Sequence, residues 1–277
     1  MNPPRTITVV THEYPEQTRD ALGRVLDLAR DAGVKLVLPP REREKHGLDD
    51  LDGDGSESVD LTVVLGGDGT ILTALREHRA PVFAVNYGEI GFLSTVDRDD
   101  LEDGIARALA GRYETLPMPA LAMEIDGERR IGVNDISFHR RAHGRVAQLE
   151  YRVHSEELGD VRCDGLVVAT PVGSTGYNLA NGGPILAWGV DGFVVSFIAP
   201  HTLTARALVV APTDPLTVKN LSERDAVDLT TDGRDAGALG PRECIDISFV
   251  QDQVVLAQLP GASFYHRFRD KFGRLAY

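Results

Sequence analysis

Cysteine is scarce in this 277-residue chain: Cys163 and Cys244 stand far apart and in no metal-ligand spacing. That excludes a disulfide scaffold or a cysteine-ligated metal module and fits a reducing cytosol. Long apolar runs are missing as well. No stretch approaches the roughly 18 residues a membrane-spanning helix needs, and residues 1–6 lack the apolar segment of a signal peptide. The expectation is a cytoplasmic protein without membrane association. Positive charge is in short supply, with 29 Lys plus Arg against 42 Asp plus Glu and a formal net charge of −13. Phosphate backbones reward clustered Lys and Arg, so a general nucleic-acid binder is excluded. An anionic small molecule remains accessible to backbone amides and a few local cations. Internal repeats and low-complexity tails are also lacking. The length suffices for two domains.

Strand and helix signals alternate in the first part of the chain. Residues 7–10 form a β-branched run. Residues 17–32 place Ala21, Val25, Leu26, Leu28 and Ala29 on one helical face, and Gly33 ends that helix. Residues 34–38 and 61–65 read as further strands, followed by a helix after Thr70 and a strand over 82–85. Residues 100–110 are helical in pattern, with Leu101, Ile105 and Leu109 spaced by four. Between 39 and 60 the sequence turns polar and is expected to be a solvated loop. Asp49, Asp50, Asp52 and Asp54 cluster there without the spacing or terminal Glu of an EF-hand.

From about residue 116 short strand-like runs take over, at 120–125, 130–133, 147–153, 166–169, 193–198, 208–210, 216–219, 226–229, 245–250 and 254–259. Asp126-Gly127 signals a hairpin between the first two. A last helical stretch spaces Phe264, Phe268 and Phe272 by four and is expected to pack back on a domain. The predicted organisation is an α/β domain with a Rossmann-like parallel sheet over 1–115, a β-rich domain over 116–250, and a C-terminal segment over 251–277 expected to pack back on the N-terminal domain.

The most informative stretch is Gly66-Gly67-Asp68-Gly69-Thr70, which joins the apolar run 61–65 to a helix. A buried strand running into glycines and then a helix brings backbone N–H groups up to phosphate. Gly66, Gly67, Gly69 and Thr70 form this expected phosphate loop. Asp68 is the unusual element, because a carboxylate where polyanions bind is costly unless it holds a metal ion or takes a proton from a nucleophile. The combination points to phosphoryl transfer.

Three other stretches join it. Asn86-Tyr87-Gly88-Glu89-Ile90-Gly91-Phe92-Leu93 follows the next strand, and loops at the carboxyl ends of neighbouring parallel strands converge on one crevice. Asn134-Asp135 offers an amide and a carboxylate to ribose hydroxyls, although an ordinary Asx turn explains such a pair as well. Residues 164–184 run from Asp164 through an apolar strand into Thr170-Pro171-Val172-Gly173-Ser174-Thr175-Gly176-Tyr177, a small-residue loop rich in donors with an aromatic face. Neither a Walker A sequence nor a first-turn Gly-x-Gly-x-x-Gly occurs.

The stretch His139-Arg140-Arg141-Ala142-His143-Gly144-Arg145 is the most basic part of an acidic chain. It reads as a loop, either solvated or touching ligand phosphates. His139 and His143 stand four apart, but Gly144 disfavours a helix and no third metal ligand is evident. No resident metal site is expected, and Cys163, with no base beside it, reads as an ordinary thiol.

Together these stretches resemble the NAD kinase family. Gly66 to Thr70 looks like its signature loop, 86–93 like its Asn-x-Gly-x-x-Gly-Phe-Leu segment, and Asn134-Asp135 like its Asn-Glu/Asp pair. Residues 164–184 are similar to its long Asp-Gly…Gly-Ser-Thr-x-Tyr…Gly-Gly-Pro motif. The resemblance spans roughly 5–260. Diacylglycerol-type lipid kinases and phosphofructokinases carry similar glycine–aspartate loops, but the long fourth motif is far more specific. The resemblance implies an NAD kinase/diacylglycerol kinase-like fold and phosphorylation of the adenosine-ribose 2′-hydroxyl of NAD to NADP. The donor would be ATP, or polyphosphate, with Mg²⁺ on the donor.

It also implies roles. Asp68 would be the general base, Gly69 and the amides around it would contact nucleotide phosphates, and Asn86, expected beside Asp68, would bind substrate. Asn134 and Asp135 would hold ribose hydroxyls. Asp164, Thr175, Gly176, Tyr177, Asn178, Leu179 and Ala180 would hold the rest of the dinucleotide, with Arg145, Arg162 and Arg234 as lesser contacts. Glu89 and Gln148 depart from residues common in the family. A homodimer or homotetramer is implied. Two rivals are a lipid kinase, for which no basic amphipathic helix is visible, and a dinucleotide-binding regulator, which would not need Asp68.

Overall fold

β-Branched runs interleaved with amphipathic stretches build one part of the chain, and short alternating runs build the other. The computed structural model describes residues 1–48, 58–141 and 145–273. It divides into two units, residues 1–117 together with 254–277, and residues 118–253.

The first unit is α/β. Its elements are β1 (Thr6–Thr11), α1 (Arg19–Asp31), β2 (Lys35–Val37), α2 (Pro40–His46), β3 (Leu61–Gly66), α3 (Asp68–Glu77), β4 (Val82–Asn86), β5 (Val96–Asp97) and α4 (Leu101–Leu109). Strands β2, β1, β3, β4 and β5 pair in that order and all in parallel. Every residue of β3 and β4 is buried, which is why both read as unbroken apolar runs rather than alternating ones. Helix α1 packs Ala21, Leu22, Val25 and Ala29 into the same core as Ile7, Val9, Leu61, Val63, Phe83, Leu101 and Ile105.

The second unit is β-rich. Along the chain come β6 (Glu114–Ile125), β7 (Glu128–Gly132), β8 (Asp135–Arg140), β9 (Ala147–Val153), β10 (Glu156–Cys163), β11 (Gly165–Ala169), α5 (Tyr177–Ala180), β12 (Phe193–Ile198), β13 (Leu208–Val210), β14 (Leu216–Asn220), β15 (Val227–Thr231), β16 (Arg234–Leu239) and β17 (Cys244–Gln258). The chain ends in α6 (Phe264–Phe272), which belongs to the first unit. Six antiparallel strands form the sheet β13-β12-β11-β8-β15-β16, and β10-β9-β14-β17 pair antiparallel in another. Phe138, Leu166, Val168 and Phe193 from the first sheet share one core with Leu149, Val161, Val218 and Ile247 from the second.

Several expectations need correction. Residues 40–46 are helical rather than loop. Pro40 opens α2 and Gly47 closes it in the left-handed conformation at φ 66°, in the positions these residues favour. The buried side of this helix is polar, with Glu42 only 4 % exposed, so it leaves no apolar periodicity to read. The runs 245–250 and 254–259 are one strand, β17, carried through the polar Gln251-Asp252-Gln253. Strand β10 went unread because it buries only Val161 and Cys163. His139 and Arg140 lie at the end of β8, not in a loop. His143 and Asp49, Asp50, Asp52 and Asp54 fall outside the described residues.

Candidate active site

In the first unit the glycine loop sits at the carboxyl end of β3, the place where open parallel sheets bind ligands. Gly67 is the N-cap of α3 and Asp68 its first residue. The Gly67 carbonyl accepts the amides of Thr70 (3.0 Å) and Ile71 (3.1 Å). The helix start has N–H groups without intrahelical carbonyls and partial positive charge, and Gly69 beside it is exposed. The loop after β4 comes close: a Cβ on Gly88 would lie 2.8 Å from the Gly67 Cα, so a side chain at Gly88 requires the backbone to shift.

Asp68 reaches across to that second loop. Its Oδ2 accepts the amide of Phe92 (3.1 Å) and its Oδ1 the amide of Leu93 (2.9 Å). Two neighbouring N–H groups thus hold the carboxylate in one orientation, with lone pairs left on both oxygens. Asn86 is 8 % exposed. Its Oδ1 accepts from Gly88 N (3.0 Å) and its Nδ2 donates to Asp97 Oδ1 (3.1 Å), so its side chain shapes this loop. Glu89 is exposed.

In the second unit Asn134 lies in the turn from β7 into β8, and Asp135 opens β8. One carboxylate that sequence reading missed organises this turn. Asp232 accepts the amides of Val133 (3.1 Å), Asn134 (2.6 Å) and Asp135 (3.2 Å). It lies in the Asp232-Gly233 turn between β15 and β16, a hairpin dipeptide like Asp126-Gly127 and so the one signal that marked it. Asp135 is 6 % exposed. Burial, reinforced by the neighbouring Asp232 charge, pushes its carboxyl up to about 7.

The donor-rich loop packs directly on this turn. A Cβ on Gly173 would lie 1.9 Å from the Asn134 carbonyl oxygen, so only glycine fits there. The Thr170 hydroxyl ties the segments by donating to Val133 O (2.7 Å) and accepting from Gly173 N (3.1 Å). Gly173–Thr175 form a 3-10 turn and Tyr177–Ala180 a short helix. Asn178 is fully buried and donates to Ser174 O (2.9 Å) and Pro184 O (3.0 Å), so it builds the loop from inside. The Thr175 hydroxyl donates to Val172 O (3.2 Å). The Tyr177 ring stacks on His139, with centroids 5.7 Å apart.

Asp164 stands at the other end of the same strand pair. Ala169 faces Asp135 and Gly165 faces His139, so four strand residues, about 13 Å, separate the two ends. Arg140 Nε donates to Asp164 Oδ1 (2.6 Å) and Arg141 Nε to Asp228 Oδ1 (2.7 Å). These two arginines of the basic stretch therefore pair with carboxylates. Arg162 is exposed two residues before Asp164, Arg145 is exposed just ahead of β9, and Arg234 opens β16 beyond the Asp232 turn. Arg145, with Arg140 and Arg141, lines a separate small pocket. Gln148 Nε2 donates to Asp160 Oδ2 (2.6 Å). Burial pushes the Cys163 thiol up to about 11, which suits an inert thiol.

The first unit carries a glycine–aspartate loop on a buried parallel strand, and the second carries Asn-Asp and Gly-Ser-Thr segments. Residues 17–113 match the ATP-NAD kinase N-terminal domain and residues 133–259 the ATP-NAD kinase C-terminal domain. The chain belongs to the NAD kinase family. It is 33 % identical over 224 residues to an NAD kinase of Gemmatimonas aurantiaca, covering 78 % of each chain. It is 32 % identical over 259 residues to one of Symbiobacterium thermophilum, covering 89 % of this chain and 91 % of that one. Among solved structures, yeast NADH kinase complexed with NADH is similar in fold, with a TM-score of 0.85 at 22 % identity over 99 % of this chain and 89 % of that one. So is an NAD kinase from Archaeoglobus fulgidus in complex with ATP, with a TM-score of 0.76 at 24 % identity over 98 % of each.

Proposed function

We propose that this chain transfers the γ-phosphoryl group of ATP to the adenosine-ribose 2′-hydroxyl of NAD, giving NADP and ADP. One observation carries the assignment: in a chain of this family, Asp68 is held by two amides at the carboxyl end of a parallel strand, inside a glycine loop. A ribose hydroxyl is a poor nucleophile, and phosphoryl transfer proceeds through a loose transition state, so positioning and charge neutralisation dominate. Asp68 orients the hydroxyl and accepts its proton late, once the attacking oxygen has become acidic. The amides around Gly69 bind phosphate oxygens at the start of α3.

Asn134 and Asp135 serve the ribose hydroxyls, Asp164, Thr175, Gly176, Leu179 and Ala180 bind the remainder of the dinucleotide, Tyr177 supplies its flat face, and buried Asn178 holds their loop from inside. Mg²⁺ enters as part of the Mg·ATP substrate. Solved relatives of this fold in complex with NADH and with ATP support the two substrates. A homodimer or homotetramer is the assembly proposed, and polyphosphate is an alternative donor to be assayed beside ATP.

The test is a coupled assay of NADP formation from NAD and Mg·ATP. Asp68→Asn should keep the fold and lose ~10²–10⁴-fold in turnover, the usual range for a general base. Wild-type turnover in that variant would remove Asp68 from the role. A folded wild type that binds NAD without making NADP would indicate a regulator instead.

A further inference from the structure

The C-terminal helix contributes a residue to the first unit that none of the motifs contains. Arg267 projects from α6 into the loop that holds Asp68. Its Nη1 donates to the carbonyls of Phe92 (3.3 Å) and Ser94, and its Nη2 donates to Gln258 Oε1. The Phe92 carbonyl and the Leu93 N–H are two ends of a single peptide group. That N–H donates to Asp68 Oδ1 at 2.9 Å. A guanidinium, one peptide unit and the Asp68 carboxylate therefore form a continuous hydrogen-bonded chain.

A cation on the carbonyl end polarises the peptide and strengthens the bond its N–H makes. It also fixes the plane of that peptide, and with it the direction of the carboxylate. Aromatic packing holds the same segment. Phe92 sits edge-on to Phe264 (6.0 Å) and Phe272 (5.9 Å), both on α6. Lys271 approaches Asp97 at 3.9 Å, and Asp97 in turn accepts from Asn86. Burial lowers the Arg267 guanidinium to about 10, against the opposing pull of Asp68 and Asp97, so it stays charged at neutral pH.

We propose that Arg267 is a positioning residue for phosphoryl transfer, acting on Asp68 through the Phe92–Leu93 peptide. The proposal rests on the reading of Asp68 as the general base. Its role is to hold the base in line with the acceptor hydroxyl, a geometry in which an error near 1 Å costs about a hundredfold.

A double-mutant cycle separates this from mere support of the fold. Arg267→Met should lower kcat about ten- to a hundredfold while KM for NAD stays within about twofold, the pattern of an interaction made in the transition state. Arg267→Lys, which keeps the charge but not the two-armed geometry, should fall between the two. In the Asp68→Asn background, Arg267→Met should change turnover by less than about twofold, because the two residues act as one unit. Hydrogen exchange at the Leu93 amide should quicken in Arg267→Met, independently of activity. Thermal melts establish that each protein is folded, and Arg267→Lys carries the same cycle if Arg267→Met does not fold.

Equal losses in both Asp68 backgrounds, or wild-type kcat in folded Arg267→Met, would overturn the proposal. If Asp68→Asn loses turnover while Arg267→Met does not, the positioning role falls and the base reading stands. If Asp68→Asn keeps full turnover, both fall.

Discussion

Asp68 and Asp135 are both carboxylates of the proposed site, yet their surroundings differ. Asp68 is half-buried at a helix start and accepts two amides. Asp135 is buried next to a second carboxylate, and its carboxyl rises to about 7. The sign of the consequence follows from linkage. An unfolded Asp loses its proton near pH 4, while the folded one keeps it until about 7. Between those values the native state binds more protons than the unfolded state, so this group's contribution to stability falls as pH rises from 4 to 7 and is level above. Asp135→Asn should abolish that fall. The Tm of the variant relative to wild type should therefore be higher at pH 8 than at pH 5, checked by thermal denaturation at both. A Tm difference independent of pH would mean that Asp135 ionises normally.

Elements differed in how plainly they could be read. Strands β1, β3 and β4 and helices α1 and α4 were legible because burial on one stripe or on both faces forces apolar periodicity. Helix α2 and strands β10 and β16 were not, because polar or half-exposed residues fill them. Helix α6 was visible through its phenylalanines, and its start is set by a side chain: Ser263 Oγ accepts the amide of His266 at 3.1 Å. No residue of α6 is fully buried, so its cap matters more than it would in a core helix. Ser263→Ala should cost about 1 kcal/mol, measured by urea denaturation. A change within error would show that the packing of α6 on Phe92 and its Arg267 and Lys271 contacts hold the helix without the cap.

At the scale of the whole chain, an acidic protein is asked to bind anionic substrates. A formal charge of −13 repels the proposed substrates NAD and Mg·ATP at long range, whereas the amides and arginines of the proposed site act at short range. Raising ionic strength from 0.01 to 0.1 M shortens the Debye length from about 30 to about 10 Å. Screening should weaken the long-range repulsion more than the short contacts, so kcat/KM for NAD should rise with salt at fixed free Mg²⁺. A steep fall would mean that local cations dominate the approach. The two hydrophobic cores, one in each unit, are each assembled from both near and distant segments, and the first unit takes its last helix from the far end of the chain.

The linear order of residues by itself determined the α/β-then-β organisation, the glycine–aspartate loop and the Asn-Asp and Gly-Ser-Thr turns, because strand burial and turn chemistry leave marks within a few neighbouring residues. Only the tertiary structure decided what holds those groups in place. The amides on Asp68 come from 24 and 25 residues away. The Asp232 carboxylate under Asn134 comes from 98, and the Arg267 guanidinium on Phe92 from 175. Such contacts are made by chain topology, and a lone Asp or Arg in a polar stretch carries no local pattern that tells which distant backbone it will meet.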